Sequence, residues 1–197
     1  MKKNPAILDL SVVLAVGNCE ETAGRQVRTL AQHLRSLGRS FEIVAVNDGS
    51  RDNTLAVLNL LESEVPELRL VCRDALGRAF LRGAAEARGQ TVVLASVSAT
   101  AGASTWSILG WALGRVESGK DAVVLRGRFT VARRLPCLPA IARAKGPTPS
   151  FERRFEREIS ALAVDVVGTR RPVVKLSNIA DLLLTPLRLL STGLPRF

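Results

Sequence analysis

Phe41-Glu42-Ile43-Val44-Ala45-Val46-Asn47-Asp48-Gly49-Ser50-Arg51-Asp52 decides how this chain folds. Its first half is a short apolar run rich in Val and Ile, which reads as a buried strand. Asn-Asp-Gly-Ser is turn chemistry that must end that strand. Beyond the turn, Val57, Leu58 and Leu61 recur at helical spacing, so the unit is strand, polar turn, helix. In a parallel sheet the ligand crevice lies at the carboxyl ends of the strands. An amide and an acid at that edge are placed to hold a nucleotide base or ribose. The plainer alternative is that Asp48 and Ser50 cap the following helix.

Working outward, residues 10–16 form an earlier apolar strand closed by Gly17-Asn18. The helix after it carries Val27, Leu30, Ala31, Leu34 and Leu37 on one face and ends at Gly38. His33 lies in this helix with no Cys or carboxylate at ligand spacing, which predicts a surface residue. Residues 68–72 read as a third strand. Ala79, Gly83 and Ala87 then give a helix a small-residue face that lets it lie close on a sheet. Residues 91–95 are a fourth strand ending in Ser96-Val97-Ser98. A helix with Ile108, Leu109, Ala112, Leu113 and Val116 inward leads to a fifth strand over 121–125. This alternation predicts an α/β fold, a mostly parallel central sheet with helices on both faces. Residues 1–130 would form the core of one compact domain. Residues 131–197 would add a Pro-rich basic connector with one short helix, a helix over 151–163 with a solvated charged side, and a leucine-rich tail over 179–190.

Composition narrows the partners. The 197 residues are 47% hydrophobic and 23% charged, which suits one globular domain with a sizeable core. Twenty-eight Lys and Arg against 18 Asp and Glu leave a formal charge of +10, favouring nucleotide phosphates, an anionic membrane surface or nucleic acid. Aromatic residues are 4% and Tyr is absent, so stacking platforms for single-stranded nucleic acid are lacking and no nucleic-acid partner is expected. Cys19, Cys72 and Cys137 are odd in number and widely spaced, which fits a reducing cytoplasm and neither a disulfide framework nor a zinc site. Met1-Lys2-Lys3-Asn4-Pro5 leads into a run too short and interrupted for a signal peptide. No apolar stretch approaches the roughly 18–20 residues of a transmembrane helix. A cytoplasmic chain, at most peripheral at a membrane, is expected.

Taken together, these stretches resemble the family 2 glycosyltransferases of the GT-A fold, most closely the dolichyl- or polyprenyl-phosphate sugar transferase branch. Leu10-Ser-Val-Val-Leu-Ala-Val-Gly-Asn-Cys-Glu-Glu is similar to the family's first strand and "PxYNEE" loop. Phe41-Glu-Ile-Val-Ala-Val-Asn-Asp-Gly-Ser-Arg-Asp is similar to its "EIIxVDDGSxD" segment, with Asn47 in place of the first Asp. Residues 77–89 resemble the Gly-rich helix before the fourth strand, and Gly119-Lys-Asp-Ala-Val-Val fits the fifth. The likeness covers residues 10 to about 128. It implies binding of a nucleotide diphosphate sugar, with the nucleoside held by Asn18, Asn47, Asp48 and Ser50.

The departures matter as much. The family's "DxD", which holds a divalent metal on the diphosphate, aligns with Ser96-Val97-Ser98. A neutral hydroxyl is no substitute for a carboxylate against such a cation, because most of that binding is charge. No cofactor is therefore expected, and Mg or Mn would bind only if acids came from elsewhere. In the first loop Ala15, Gly17 and Cys19 replace the family's Pro, Tyr and first Glu, while Asn18 and Glu20 remain. Phe155-Glu-Arg-Glu-Ile is similar to a later "FExE" segment without nominating Glu158 as a base. Three readings stay open. One is an impaired or repurposed glycosyltransferase-like protein that retains nucleotide or nucleotide-sugar binding. A second is a working metal-independent transferase in which Arg73, Arg78 and Arg82 neutralise the diphosphate. The third is a basic module for an anionic membrane surface or a protein partner.

Overall fold

The computed structural model describes residues 7–71, 78–98, 106–144, 148–159 and 162–167. Strands β1 (Leu8–Val16), β2 (Phe41–Asn47), β3 (Leu68–Leu70), β4 (Gly89–Ser96), β5 (Ala122–Leu125), β6 (Phe129–Arg133) and β7 (Val164–Val167) make one sheet in the order β3-β2-β1-β4-β6-β5-β7. All neighbours are parallel except β6, which runs antiparallel to both β4 and β5. This is the expected α/β fold with a mostly parallel sheet.

Both faces are covered. Helices α1 (Glu20–Ser36), α2 (Thr54–Glu64) and α4 (Leu109–Glu117) bury Val27, Leu30, Leu34, Leu58, Leu61, Leu109 and Leu113 against one face. Alternate strand residues Val12, Leu14, Ile43, Ala45 and Val93 meet them there. Helices α3 (Ala79–Glu86), α5 (Arg134–Arg143) and α6 (Thr148–Glu158) cover the other face, over Val13, Val44, Val46, Val92 and Leu94. The period-two split along each central strand is what a sheet buried on both sides requires. Gly83 brings α3 onto that second face: a β-carbon there would lie 2.2 Å from Val13 Cγ1 and 3.1 Å from Val46 Cγ2. The small-residue face read from sequence is therefore a packing requirement.

At the amino edge of the sheet a buried carboxylate ties three strands together. Glu42 is 2% exposed. It accepts hydrogen bonds from Ser11 Oγ at 2.7 Å, from Arg88 N at 2.7 Å, and from Arg88 Nε and Nη2 at 3.0 and 2.8 Å. Arg69 Nη2 adds a contact at 3.3 Å, and Gly89 N donates to Ser11 Oγ at 2.8 Å. Burial pushes the Glu42 carboxyl up, but the Arg88 amide, the Ser11 hydroxyl and the guanidiniums of Arg88 and Arg69 together bring it below its ordinary value.

The region after residue 126 is more ordered than its composition predicts. Residues 129–133 form β6, which the sequence reading did not foresee, and 134–143 form α5, the short helix expected within the connector. Pro136 falls in the first turn of α5, where its missing N–H would have no partner anyway, and only Pro139 lies deeper in the helix. The helix expected over 151–163 spans Thr148–Glu158 instead, and the chain turns into edge strand β7. Its charged side is not wholly solvated, since Glu152 is buried beside Phe151 and Phe155. The third strand stops at Leu70, with Val71 N still bonded to Ala45 O at 2.9 Å. Cys72 and the leucine-rich tail lie outside the described residues; Cys19 and Cys137 are free thiols. His33 is half-buried, not fully at the surface.

Replacing Gly83 with Ala is expected to destabilise the fold by about 1–3 kcal/mol through overpacking. Gly114→Ala in α4, where the added carbon meets nothing within 4 Å, should be neutral or stabilise by up to about 1 kcal/mol. Urea unfolding of the two variants reads the difference. The depressed Glu42 carboxyl contributes stability that is full above its unfolded value and is lost as pH falls below about 4.3 and on through the folded value. Glu42→Gln should cost about 3 kcal/mol at pH 7 and much less near pH 3, measured by denaturant midpoints at both.

Candidate functional site

Three strands end level at the carboxyl edge, because Ala15 stands opposite both Val46 and Ser96. The loops after β1, β2 and β4 therefore start side by side. Asp48 N donates to Val16 O at 2.8 Å and Val97 N to Ala15 O at 3.0 Å, carrying the sheet's bonding just past the strands.

The first two loops are joined by side chains. Asn18 adopts φ 46°, a left-handed conformation that an Asn tolerates better than most residues. Its backbone N–H donates to Ser50 Oγ at 3.2 Å and its Oδ1 accepts Arg51 N at 2.8 Å. Ser50 Oγ in turn donates to Asn47 Oδ1 at 2.5 Å. Three of the four residues assigned to the nucleoside thus form one hydrogen-bonded chain. Asp48, half-buried, sits in the same turn. A side chain at Gly17 would lie 3.8 Å from the Asp48 carbonyl oxygen, so the two loops touch.

A second layer, not singled out from sequence, lies behind this one. Cys19 N donates to Thr54 Oγ1 at 2.9 Å and Glu20 N to Asp52 Oδ2 at 3.1 Å. Asn53 N donates to Glu20 Oε2 at 2.7 Å, while Thr54 N and Oγ1 both donate to Asp52 Oδ1, at 3.1 and 2.6 Å. The two helix starts are thereby tied together: Glu20 N, opening α1, reaches Asp52 in the loop ahead of α2, and Asn53 N, just before α2, reaches Glu20. Helix α2 takes its cap from Asp52, so Ser50 is left to join the loops. The Thr54 hydroxyl, with two loop N–H groups donating to Asp52, holds the Asp52 carboxyl below its ordinary value. Burial pushes the Cys19 thiol up, and the Asp52 charge acts in the same direction, so Cys19 stays a neutral thiol. The signal for this layer was present in Ser50-Arg51-Asp52-Asn53-Thr54, a run of N-cap residues ahead of an apolar helix.

At the end of β4, Ser96 Oγ and Ser98 Oγ lie 3.1 Å apart in a mutual hydrogen bond. Ser96 is buried and Ser98 exposed. Two hydroxyls offer oxygen but no charge, and a hard divalent cation takes six or more oxygen ligands, carboxylates prominent among them. Among the described residues no group of three His, Cys, Asp or Glu side chains is placed to hold a metal. This donor set does not fit a dication.

The arginines are dispersed. Arg78 and Arg82 are exposed at the start and middle of α3, and Arg73 lies outside the described residues. Sequence reading missed the turn Arg126-Gly127-Arg128, which follows β5 and lies just beyond the last β4–β6 pair, Ala95–Phe129. That turn is fixed from α6. Arg126 Nε and Nη2 donate to Glu156 at 2.7 and 2.5 Å, and Gly127 N donates to Glu152 Oε2 at 2.9 Å. Burial holds the Glu152 carboxyl above its ordinary value, outweighing the Gly127 N–H. Glu158 pairs with Arg143, away from this turn.

A central mostly parallel sheet with polar loops gathered over β1, β2 and β4 is the arrangement of the GT-A fold, which the chain shares with the solved structures below. Residues 11–96 match the family described as "Glycosyl transferase family 2". No curated protein matches the chain. TarS from S. aureus superimposes with a TM-score of 0.58 at 12% identity, over 81% of this chain and 58% of that one. Its structures include complexes with UDP and with UDP-GlcNAc. The mannosyltransferase PcManGT from Pyrobaculum calidifontis, in complex with GDP-Man and Mn2+, gives 0.61 at 15% identity, over 84% and 56%. Glucosyl-3-phosphoglycerate synthase from Mycobacterium tuberculosis, with Mn2+, UDP and glucosyl-3-phosphoglycerate, gives 0.56 at 16%, over 82% and 70%. The chain spans less than two thirds of the TarS and PcManGT structures. No helix among the described residues is long and apolar enough to cross a membrane.

Thr54 is fully buried, and removing its hydroxyl strands the Cys19 N–H. Thr54→Val is expected to cost about 1–3 kcal/mol in chemical denaturation. Thr54→Ser, which keeps the oxygen, should cost well under half as much.

Proposed function

We propose that this chain binds a nucleotide or nucleotide diphosphate sugar over the carboxyl ends of β1, β2 and β4, as a family 2 glycosyltransferase-like protein whose transfer chemistry is impaired or repurposed. The observation that carries this reading is the hydrogen-bonded chain Asn18–Ser50–Asn47, set beside Asp48 at the sheet edge. It keeps two loops in a fixed mutual position, with amide, hydroxyl and carboxylate groups of the kind that select a base and a ribose. The ligands named for the compared proteins, UDP, UDP-GlcNAc and GDP-Man, belong to the same chemical class.

Impairment rests on charge. The family's acidic pair aligns with Ser96-Val97-Ser98, and two neutral hydroxyls give a diphosphate-bound dication little to hold. A second reading, metal-independent transfer, draws on the turn Arg126-Gly127-Arg128 next to the end of β4. Arg126 of that turn is already paired with Glu156 and so partly neutralised, which leaves Arg78 and Arg82, at the start and middle of α3, as the guanidiniums of this reading; guanidinium matches phosphate geometry.

Thermal shift with UDP, GDP and their sugars, with and without Mn2+, tests the binding. Ligand at a hundred times its Kd should stabilise the fold by about 2.7 kcal/mol, a rise of a few degrees. The rise should be unaffected by Mn2+ and absent in Asp48→Ala. No shift with any of these ligands, or a shift that needs Mn2+, overturns the proposal. Sugar transfer or release in the presence of chelator would favour the second reading over the first.

A further inference from the structure

At the opposite, amino edge of the sheet lies a half-open groove of about 340 Å³, bordered by Ile7, Arg88, Arg133, Arg134, Leu135 and Pro136. Its lining contains three guanidiniums and no carboxylate. Two of the three are engaged from outside it: Arg88 holds Glu42, and Arg133 Nη1 reaches Asp121 Oδ1 at 3.4 Å from an exposed side chain. Arg134, opening α5, pairs with no acid among the described residues. Its Nε donates to Gly89 O at 2.9 Å, a neutral acceptor that fixes the side chain without neutralising it. A guanidinium oriented in this way is ready to meet a carboxylate.

The other groups at the groove are of two further kinds. Among the described residues four large hydrophobic side chains are strongly exposed, and two of them, Ile7 at 75% and Leu135 at 71%, stand here. Gln90, also exposed at the groove, presents an amide with donors and an acceptor, the complement of a peptide unit. An extended peptide can satisfy cation, apolar surface and amide at once. An inorganic anion would use the guanidiniums alone and leave Ile7 and Leu135 in water. A bilayer would need these groups on a protruding face, whereas they line a concavity. Arginine is also among the residues that most often carry binding energy at protein interfaces.

We propose that this groove docks an acidic segment of a partner protein, one with leucine-like side chains set among its carboxylates. The carboxylates meet Arg133 and Arg134, an apolar side chain packs on Ile7 and Leu135, and the main chain bonds the Gln90 amide. The surface lies at the other end of the strands from the candidate nucleotide crevice, so a docked partner leaves that crevice open.

Fluorescence anisotropy of the full chain with a labelled probe peptide, Asp-Glu-Leu-Glu-Asp-Leu, tests the surface. Saturable binding is expected, about tenfold or more weaker in Arg133→Gln/Arg134→Gln, because charge-assisted hydrogen bonds are lost. Arg25→Gln/Arg153→Gln removes the same charge from exposed positions on α1 and α6 and should weaken binding by less than about threefold, since distant charge is screened. A probe with Ser in place of both Leu, and the variant Leu135→Ser at a position too exposed to disturb folding, should each weaken binding by about threefold or more. Vesicles of phosphatidylcholine and phosphatidylglycerol should not displace the probe. The proposal is overturned if the probe does not bind, if the two arginine pairs weaken it equally, or if the Ser probe binds as tightly as the Leu probe. Displacement by the vesicles also overturns it and assigns the groove to a lipid surface. Should Arg133→Gln/Arg134→Gln melt below the parent, Leu135→Ser decides, and parent-like binding by that variant sinks the proposal.

Discussion

Everything at the ligand edge depends on where three parallel strands begin, and one buried carboxylate fixes that. Glu42 on β2 is held by the Ser11 hydroxyl on β1 and by the backbone and guanidinium of Arg88, just before β4. A slip of one residue in any of the three would send every side chain of that strand to the wrong face. It would also break the charge knot and leave a buried acid unpaired, a cost of several kcal/mol. Gly89 belongs to the same constraint, because a β-carbon there would come within 2.5 Å of the Ser11 nitrogen. With the starts aligned, strands of matched length bring Ala15, Val46 and Ser96 out level at the far end, and the loops meet.

The charge distribution at the two ends of the sheet explains what the fold keeps and what it lacks. The amino end is basic and already contains its structural acid. The carboxyl end is assembled from amides, hydroxyls and the acids Asp48, Asp52 and Glu20, with neutral serines on β4. A site of this composition can recognise shape and hydrogen-bond pattern. Asp52 and Glu20 are bonded to backbone N–H groups, and among the described residues no three His, Cys, Asp or Glu side chains are grouped to hold a dication. Fold likeness by itself leaves activity open, because the chemistry of a site is set by the residues placed on the scaffold.

Much of this was legible in the sequence. The Val- and Ile-rich runs at 10–16, 41–46 and 91–95 are strands because an apolar segment ending in turn residues has few other solutions. Gly83 was readable as a close-packing residue from its small neighbours alone. Asn18, Asn47 and Ser50 could be assembled because their loops follow adjacent strands. Other features depended on tertiary context. Strands β6 and β7 are short and flanked by charge, and Pro136 and Pro139 disguise α5. Glu152 reads as a solvated helix residue until Gly127 comes to lie beside it. The run Ser50–Thr54 announces a helix start, but its bonds to Cys19 and Glu20 join residues more than thirty positions apart, and that pairing is beyond the reach of local pattern.

That exchange of bonds has a consequence for motion. A helix that supplies its own cap can fray at its first turn without disturbing its neighbours. Here the first turn of α1 is bonded to Asp52 in the loop before α2, Asn53 just ahead of α2 is bonded back to Glu20, and Thr54 at the start of α2 bonds both Asp52 and the Cys19 N–H. Opening either end removes partners from both, so the two helix starts behave as one cooperative unit whose amide protons exchange together.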